Sequence, residues 1–163
     1  GPGALDRLDR DVLTLSGVAT VIWMEGINDF GAANTAAETV IAGYRDGVQR
    51  IKAKGIKVVG ATLTSALHST PTHGRPEVEA KRQALNQFVR SSGVFDAVVD
   101  FDAVTIDQKT GEILPQYQPN STVGGPGDKL HPNRAGYAAM GNAVDISALG
   151  PRSGGKKLAA TPQ

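Results

Sequence analysis

The chain is predicted to fold as an α/β domain with a parallel sheet covered on both faces. Three observations predict this. Short, continuous apolar runs alternate with longer amphipathic stretches along the chain. The runs are too short for helices and read as strands buried on both sides. The stretches between them carry a helical period, which is the strand–helix alternation of a parallel sheet with crossover helices. The 163 residues amount to about one domain, with neither internal repeats nor a second domain.

Residues 4–16 place Leu5, Leu8, Val12 and Leu15 at helical spacing with charges between them, and Gly17 suits the C-terminal cap. Residues 19–24 form the first apolar run and a predicted strand. Trp23 and Met24 are read as core. The run ends in Gly26-Ile27-Asn28-Asp29-Phe30-Gly31, a loop rich in turn formers. Residues 35–54 line up Val40, Ile41, Tyr44, Val48 and Ile51 on one helical face, and Gly43 and Gly47 allow close packing on a sheet.

The second strand, residues 57–63, runs into a loop over 64–75 that holds His68 and His73. Pro76 then opens a helix with Glu77 and Glu79 near its positive end and Val78, Leu85, Phe88 and Val89 as its apolar face. The third strand is residues 97–101. Residues 105–118 form a small hairpin excursion turning at Lys109-Thr110-Gly111. A last helix spans about 133–147. The domain is thus assigned to residues 1–150, and residues 151–163, small, polar and Gly-rich, to a flexible tail.

Composition excludes several classes of function. A net charge of +1 and a charged fraction of 20%, with no basic patch interleaved with aromatics, give no case for nucleic acid. The absence of cysteine excludes disulfides, thiolate metal ligands and cysteine nucleophiles. No apolar run approaches the ~20 residues of a membrane span. No signal peptide is visible, which leaves the compartment open.

Two motifs carry chemistry. Asp128-Lys129-Leu130-His131-Pro132 puts a carboxylate three residues before a histidine at the entrance of the last helix, a compact general base with its orienting acid. Gly26-Ile27-Asn28-Asp29 closes the first strand. In an α/β sheet, ligand sites lie beyond the carboxyl ends of the strands. Asn28, the 64–75 loop and His131 all reach that edge.

Competing readings are weaker. Asp29 is a structural cap rather than a catalyst. His68 and His73 lack a third metal ligand at a recognisable spacing and are solvated or substrate-lining loop residues. The run from Gly124 to Lys129 lacks the Gly-x-x-x-x-Gly-Lys-Ser/Thr pattern of a phosphate loop. Asp100 and Asp102 read as strand-end caps or as hydrogen-bond partners of neighbouring loops.

In order and separation the two motifs resemble the GxND and DxxHP blocks of the SGNH (GDSL-type) hydrolases, which are esterases, lipases and related acyl hydrolases. Residues 98–102 and the Pro132-Asn133-x-x-Gly136-Tyr137 opening of the last helix are similar to a lysophospholipase-like esterase branch. The resemblance covers roughly residues 4–148 and implies a three-layer α/β/α, flavodoxin-like sheet of order 2-1-3-4-5. It implies that His131 is the general base, Asp128 its orienting acid and Asn28 the side-chain donor of the oxyanion hole, with Gly26 lining the site. It implies a small ester as substrate and no cofactor or metal. A secreted or periplasmic location is compatible with the family.

The departure from the family lies in its first two blocks. No Gly-Asp-Ser and no second-block glycine occur in these residues. About three strands of about five are therefore expected here, the sheet being incomplete at the first one. That strand would be an apolar edge with unpaired backbone groups. An N-terminal segment or a second chain would complete the sheet and supply the serine, the sequence being a cleaved or truncated form. Two alternatives stand beside this one. Ser65, at the carboxyl end of the second strand, could serve as the nucleophile, although neither it nor Ser69, Ser121 or Thr122 lies on a Gly-x-Ser turn. Or the fold could be a non-catalytic binding module.

Overall fold

The three apolar runs assemble into one parallel sheet in the order β1-β2-β3, with β1 at Thr20–Trp23, β2 at Lys57–Ala61 and β3 at Ala97–Val99. The computed structural model describes residues 2–150. The predicted flexible tail, 151–163, lies outside the described residues. Along the chain, helices α1 (Ala4–Leu8), α2 (Ile27–Gly31), α3 (Ala37–Ala53), α4 (Pro76–Ser91), α5 (Phe101–Thr105) and α6 (Arg134–Asn142) flank or connect the strands. Ile22 pairs with Val59, and Val59 with Ala97, so one register runs across all three strands.

Both faces of the sheet are covered. On one, Val58 and Trp23 of the sheet pack with Leu8, Tyr44, Val48, Ile51, Leu85 and Phe88 from α1, α3 and α4. Edge-on aromatic contacts link Trp23 to Tyr44 at 5.8 Å and Tyr44 to Phe95 at 6.2 Å. On the other, Val59, Ala61 and Val99 pack with Phe101 and with Met140 of α6. Glycine permits two of the closest approaches. A Cβ on Gly47 would lie 2.8 Å from the Trp23 ring, and one on Gly60 would lie 2.7 Å from the Phe95 ring. Gly43 instead faces Leu5 of α1.

The strands are shorter than the apolar runs, because capping intervenes at their ends. Residue 101 opens α5 rather than extending β3: the Asp100 carboxylate accepts the Ala103 N–H at 3.1 Å and the Thr62 hydroxyl at 2.8 Å. The first predicted helix widens after α1 into a π-helical turn, Asp9–Leu13. There the N–H and the hydroxyl of Thr14 both take the carbonyl of Asp9. The loop after β1 contains the short helix α2. The 105–118 excursion has a single antiparallel bridge, Ile106 to Ile113, and then a 3-10 turn at Pro115–Tyr117. Helix α6 stops at Asn142, because Asp145 captures the Ser147 N–H and starts a separate 3-10 turn, Ile146–Leu149.

Among the described residues β1 pairs with β2 alone. Its Ile22 and Met24 are 42% and 40% exposed, against 6% for Trp23. They line a groove of about 410 Å³ together with Arg7, Leu8 and Val12. An apolar edge at the first strand was the expectation from the sequence.

At the other side of β2 a buried polar cluster locks the sheet to α4. Arg82 is fully buried on the same helical stripe as Val78, Leu85 and Val89. Its guanidinium donates to the Leu63 carbonyl at 2.6 Å, to Asp102 at 2.7 Å and to both oxygens of Glu79. Asn86 accepts the Leu63 N–H and donates to the Leu63 carbonyl, both at 2.8 Å. Truncating one member of a buried ion pair strands its partners without compensation. Arg82→Ala is therefore expected to lower unfolding stability by roughly 3–5 kcal/mol. Urea denaturation should show this as a lower midpoint with an unchanged slope.

Candidate active site

The loop that enters α6 is built to hold Asp128 and His131 together. Gly124, Gly125 and Gly127 all take positive φ, and a Cβ on Gly127 would collide with the Gln118 carbonyl. Lys129 is left-handed at φ +57°, which folds the chain back between acid and base. One oxygen of Asp128 accepts the N–H groups of Leu130 and His131, at 3.0 and 2.8 Å. The other lies 2.7 Å from His131 Nδ1. A carboxylate accepts only, so Nδ1 carries a hydrogen, and in the neutral imidazole Nε2 then offers its lone pair. The His131 side chain is 47% exposed and its Asp128 partner 19%. The imidazole is thus open to solvent while the carboxylate beside it is sheltered.

Two residues beyond His131, Asn133 fixes the exit of this loop. Its side chain caps α6 through the N–H groups of Ala135 and Gly136 and donates to the carbonyls of Gln116 and Pro119. Burial pushes the Asp128 carboxyl up, but the backbone and ring hydrogen bonds from His131 and that from Leu130 outweigh it. The group sits below its ordinary value of 3.8.

Asn28 lies in the first turn of α2, just past β1. Gly26, two residues earlier, is buried at φ +120°, a conformation that favours glycine, and a Cβ there would press on Leu85 and Val40 at 3.1 and 3.2 Å. The Tyr44 hydroxyl grips the strand end by donating to the Glu25 carbonyl at 2.7 Å and accepting the Glu25 N–H at 2.8 Å. Burial pushes the pKa of that hydroxyl well above the usual tyrosine range. The Asn28 side chain is exposed, and its Oδ1 lies 3.2 Å from Nε2 of His73. A groove of about 800 Å³ opens beside Gly26, Asn28 and Asp29, walled by α1 and by Tyr44 of α3.

Asn28 makes no hydrogen bond to the Asp128–His131 pair. The 64–75 loop connects the two instead. At one end His73 reaches Asn28. At the other, His68 Nδ1 lies 2.8 Å from Glu112, whose second oxygen accepts from Lys129 at 2.9 Å. The Lys129 ammonium first, then His68, holds the Glu112 carboxyl below its usual value. Glu112 escaped the sequence reading because nothing in its local pattern marks it. Its nearness to Lys129 depends on the path of the excursion. His73 was read only as a solvated or lining residue.

Ser65 lies in the interior rather than at the open edge. It is 0% exposed, donates its hydroxyl to the Gly111 carbonyl at 2.5 Å and accepts the Leu67 N–H at 3.1 Å. Ser121 is buried as well, and Thr122 is exposed. Asp100 and Asp102 serve the buried cluster around Arg82 and Arg90. Among the described residues no group of three or more His, Asp or Glu side chains could hold a metal ion. No helix among them is long and apolar enough to cross a membrane.

The sequence model of the GDSL-like Lipase/Acylhydrolase family matches residues 1–139. No curated protein matches by sequence. Among solved structures the fold is similar to a GDSL-like lipase from Bacteroides thetaiotaomicron VPI-5482. The TM-score is 0.73 and the identity 22%, over 88% of this chain and 68% of that one. It is also similar to a candidate acylhydrolase from Bacteroides fragilis NCTC 9343, with a TM-score of 0.68 at 22% identity, over 88% and 67% of the two chains. These likenesses establish the three-layer fold.

The depressed Asp128 value makes the His131 loop sensitive to acid. A carboxyl whose folded value lies below its unfolded one stabilises fully above the unfolded value, and the contribution is lost as pH falls through the folded one. Carbon-13 titration of the Asp128 carboxyl is expected to give a midpoint below 3.8. His131→Ala should move that midpoint upward, since it removes the ring donor.

Proposed function

The chain belongs to the GDSL-like lipase/acylhydrolase family, and we propose that it carries the base, orienting acid and oxyanion donor of a serine-type ester hydrolase. The observation that carries this is the 2.7 Å link from Asp128 to His131 Nδ1, with Nε2 left free on an exposed ring. In this reading a serine attacks the ester carbonyl and passes its proton to His131 Nε2. The negative charge that forms on the carbonyl oxygen is met by the Asn28 amide, a stabilisation of roughly 3–4 kcal/mol for a single donor. His131 then returns the proton to the departing alcohol. Water enters by the same route to release the acid.

The serine is proposed to come from a segment outside these residues, which would also pair with the edge of β1 that has no partner among the described residues. Two observations support this. No Gly-Asp-Ser occurs in the sequence, and Ile22 and Met24 lie exposed along that edge. The Ser65 alternative is disfavoured, because a fully buried hydroxyl engaged with Gly111 would have to break that bond and emerge to react.

The purified 163-residue chain is expected to hydrolyse p-nitrophenyl acetate poorly, and an added strand-forming segment bearing Gly-Asp-Ser should restore turnover. In the restored enzyme Asn28→Ala should lower kcat by ~10²–10³. His131→Ala should lower it by at least ~10⁴. Robust hydrolysis by the chain alone that survives His131→Ala would overturn the assignment.

A further inference from the structure

An asparagine side chain has two chemically opposite ends, an oxygen that accepts and a nitrogen that donates. Only the nitrogen end can stabilise an oxyanion. An exposed amide held at neither end can present either one to a substrate. Asn28 is exposed, so something must decide which end faces outward if it is to act as a donor.

The contacts around His73 supply such a device. Its Nε2 lies 3.2 Å from Asn28 Oδ1. Its Nδ1 lies 3.0 Å from the Thr70 hydroxyl and 2.9 Å from the Thr72 hydroxyl. The Thr70 oxygen also accepts the His73 backbone N–H at 3.2 Å and lies 3.2 Å from the Thr72 hydroxyl. Asn28 Oδ1 can only accept, so that contact is met when the hydrogen of the neutral imidazole resides on Nε2, with Nδ1 then accepting from a threonine hydroxyl. The ring is seated in a fixed place. It lies directly over Gly31, where any Cβ would overlap ring carbon Cδ2. Gly31, Thr70, Thr72 and His73 thus share one physical account.

We propose that His73 is a positioning residue for the oxyanion donor: its Nε2–H holds Asn28 Oδ1 and turns the Asn28 Nδ2 hydrogens toward the reacting carbonyl. This rests on the assignment of Asn28 made above. The ring touches neither substrate nor serine, and acts by fixing the orientation of the amide.

The test begins with the wild-type chain, labelled with ring-¹⁵N histidine at neutral pH. Long-range ¹H–¹⁵N spectra are expected to show His73 as the Nε2–H tautomer and His131 with its hydrogen on Nδ1. An Nδ1–H tautomer at His73 would make Nε2 an acceptor from the Asn28 amide, which reverses that amide and overturns the proposal. So would rapid averaging of the two tautomers.

The second arm uses the enzyme complete with its serine. His73→Phe keeps a ring over Gly31 but removes the donor. It is expected to lower kcat about tenfold with KM within twofold, within the range that misplacing a catalytic group produces. His73→Gln keeps a side-chain N–H and should recover most of the loss. An unchanged kcat in His73→Phe overturns the role of His73 alone. An unchanged kcat in Asn28→Ala overturns the oxyanion assignment and the His73 role built on it.

Discussion

The fold depends on how the carboxyl end of β2 is satisfied. Leu63 lies beyond the last paired residue and is 4% exposed, so water cannot serve its backbone groups. A buried peptide group without partners costs about as much as a lost hydrogen bond. Asn86 and Arg82 supply both its donor and its acceptor from α4. That places a guanidinium in the core, and Glu79 and Asp102 compensate its charge. Asp102 is shared in turn with Arg90. One chain of charge-assisted bonds therefore joins the end of β2, the crossover helix and the start of α5.

From that anchored point the 64–75 loop sets out, and its course decides the geometry of the site. It carries His73 to Asn28 and His68 to Glu112, and Glu112 holds Lys129 between the acid and the base. Asn28 and His131 are exposed, whereas Asp128, Glu112 and His73 are half-buried. The two groups proposed to act on a substrate are thus open to solvent, while the groups that hold them are packed more closely. Tyr44 adds a second restraint by gripping both backbone atoms of Glu25, just ahead of Gly26.

Much of this was legible in the sequence, and particular residues show why. Val21, Val58 and Val59 sit in runs too short and too apolar for anything but buried strands. Asp128 and His131 are three residues apart, so a single local turn brings them together. Arg82 falls on the stripe formed by Val78, Leu85 and Val89, where a charge is itself a sign of a buried partner. Ser65 was expected to face the site. A residue past the end of a strand turns with the loop, and the excursion at Gly111 closes over it.

By itself the sequence determined the order and type of the main elements, the local acid–base pair and the glycines at which the chain must turn or pack closely. Those properties follow from periodicity and from backbone stereochemistry within a few residues. Only the tertiary structure decided which distant polar groups meet. Asn28 and His73 are 45 positions apart, and His68 and Glu112 are 44 apart. Their partners are set by the paths of two irregular segments over the sheet edge. Such paths follow from the sum of many long-range contacts, which no local pattern encodes.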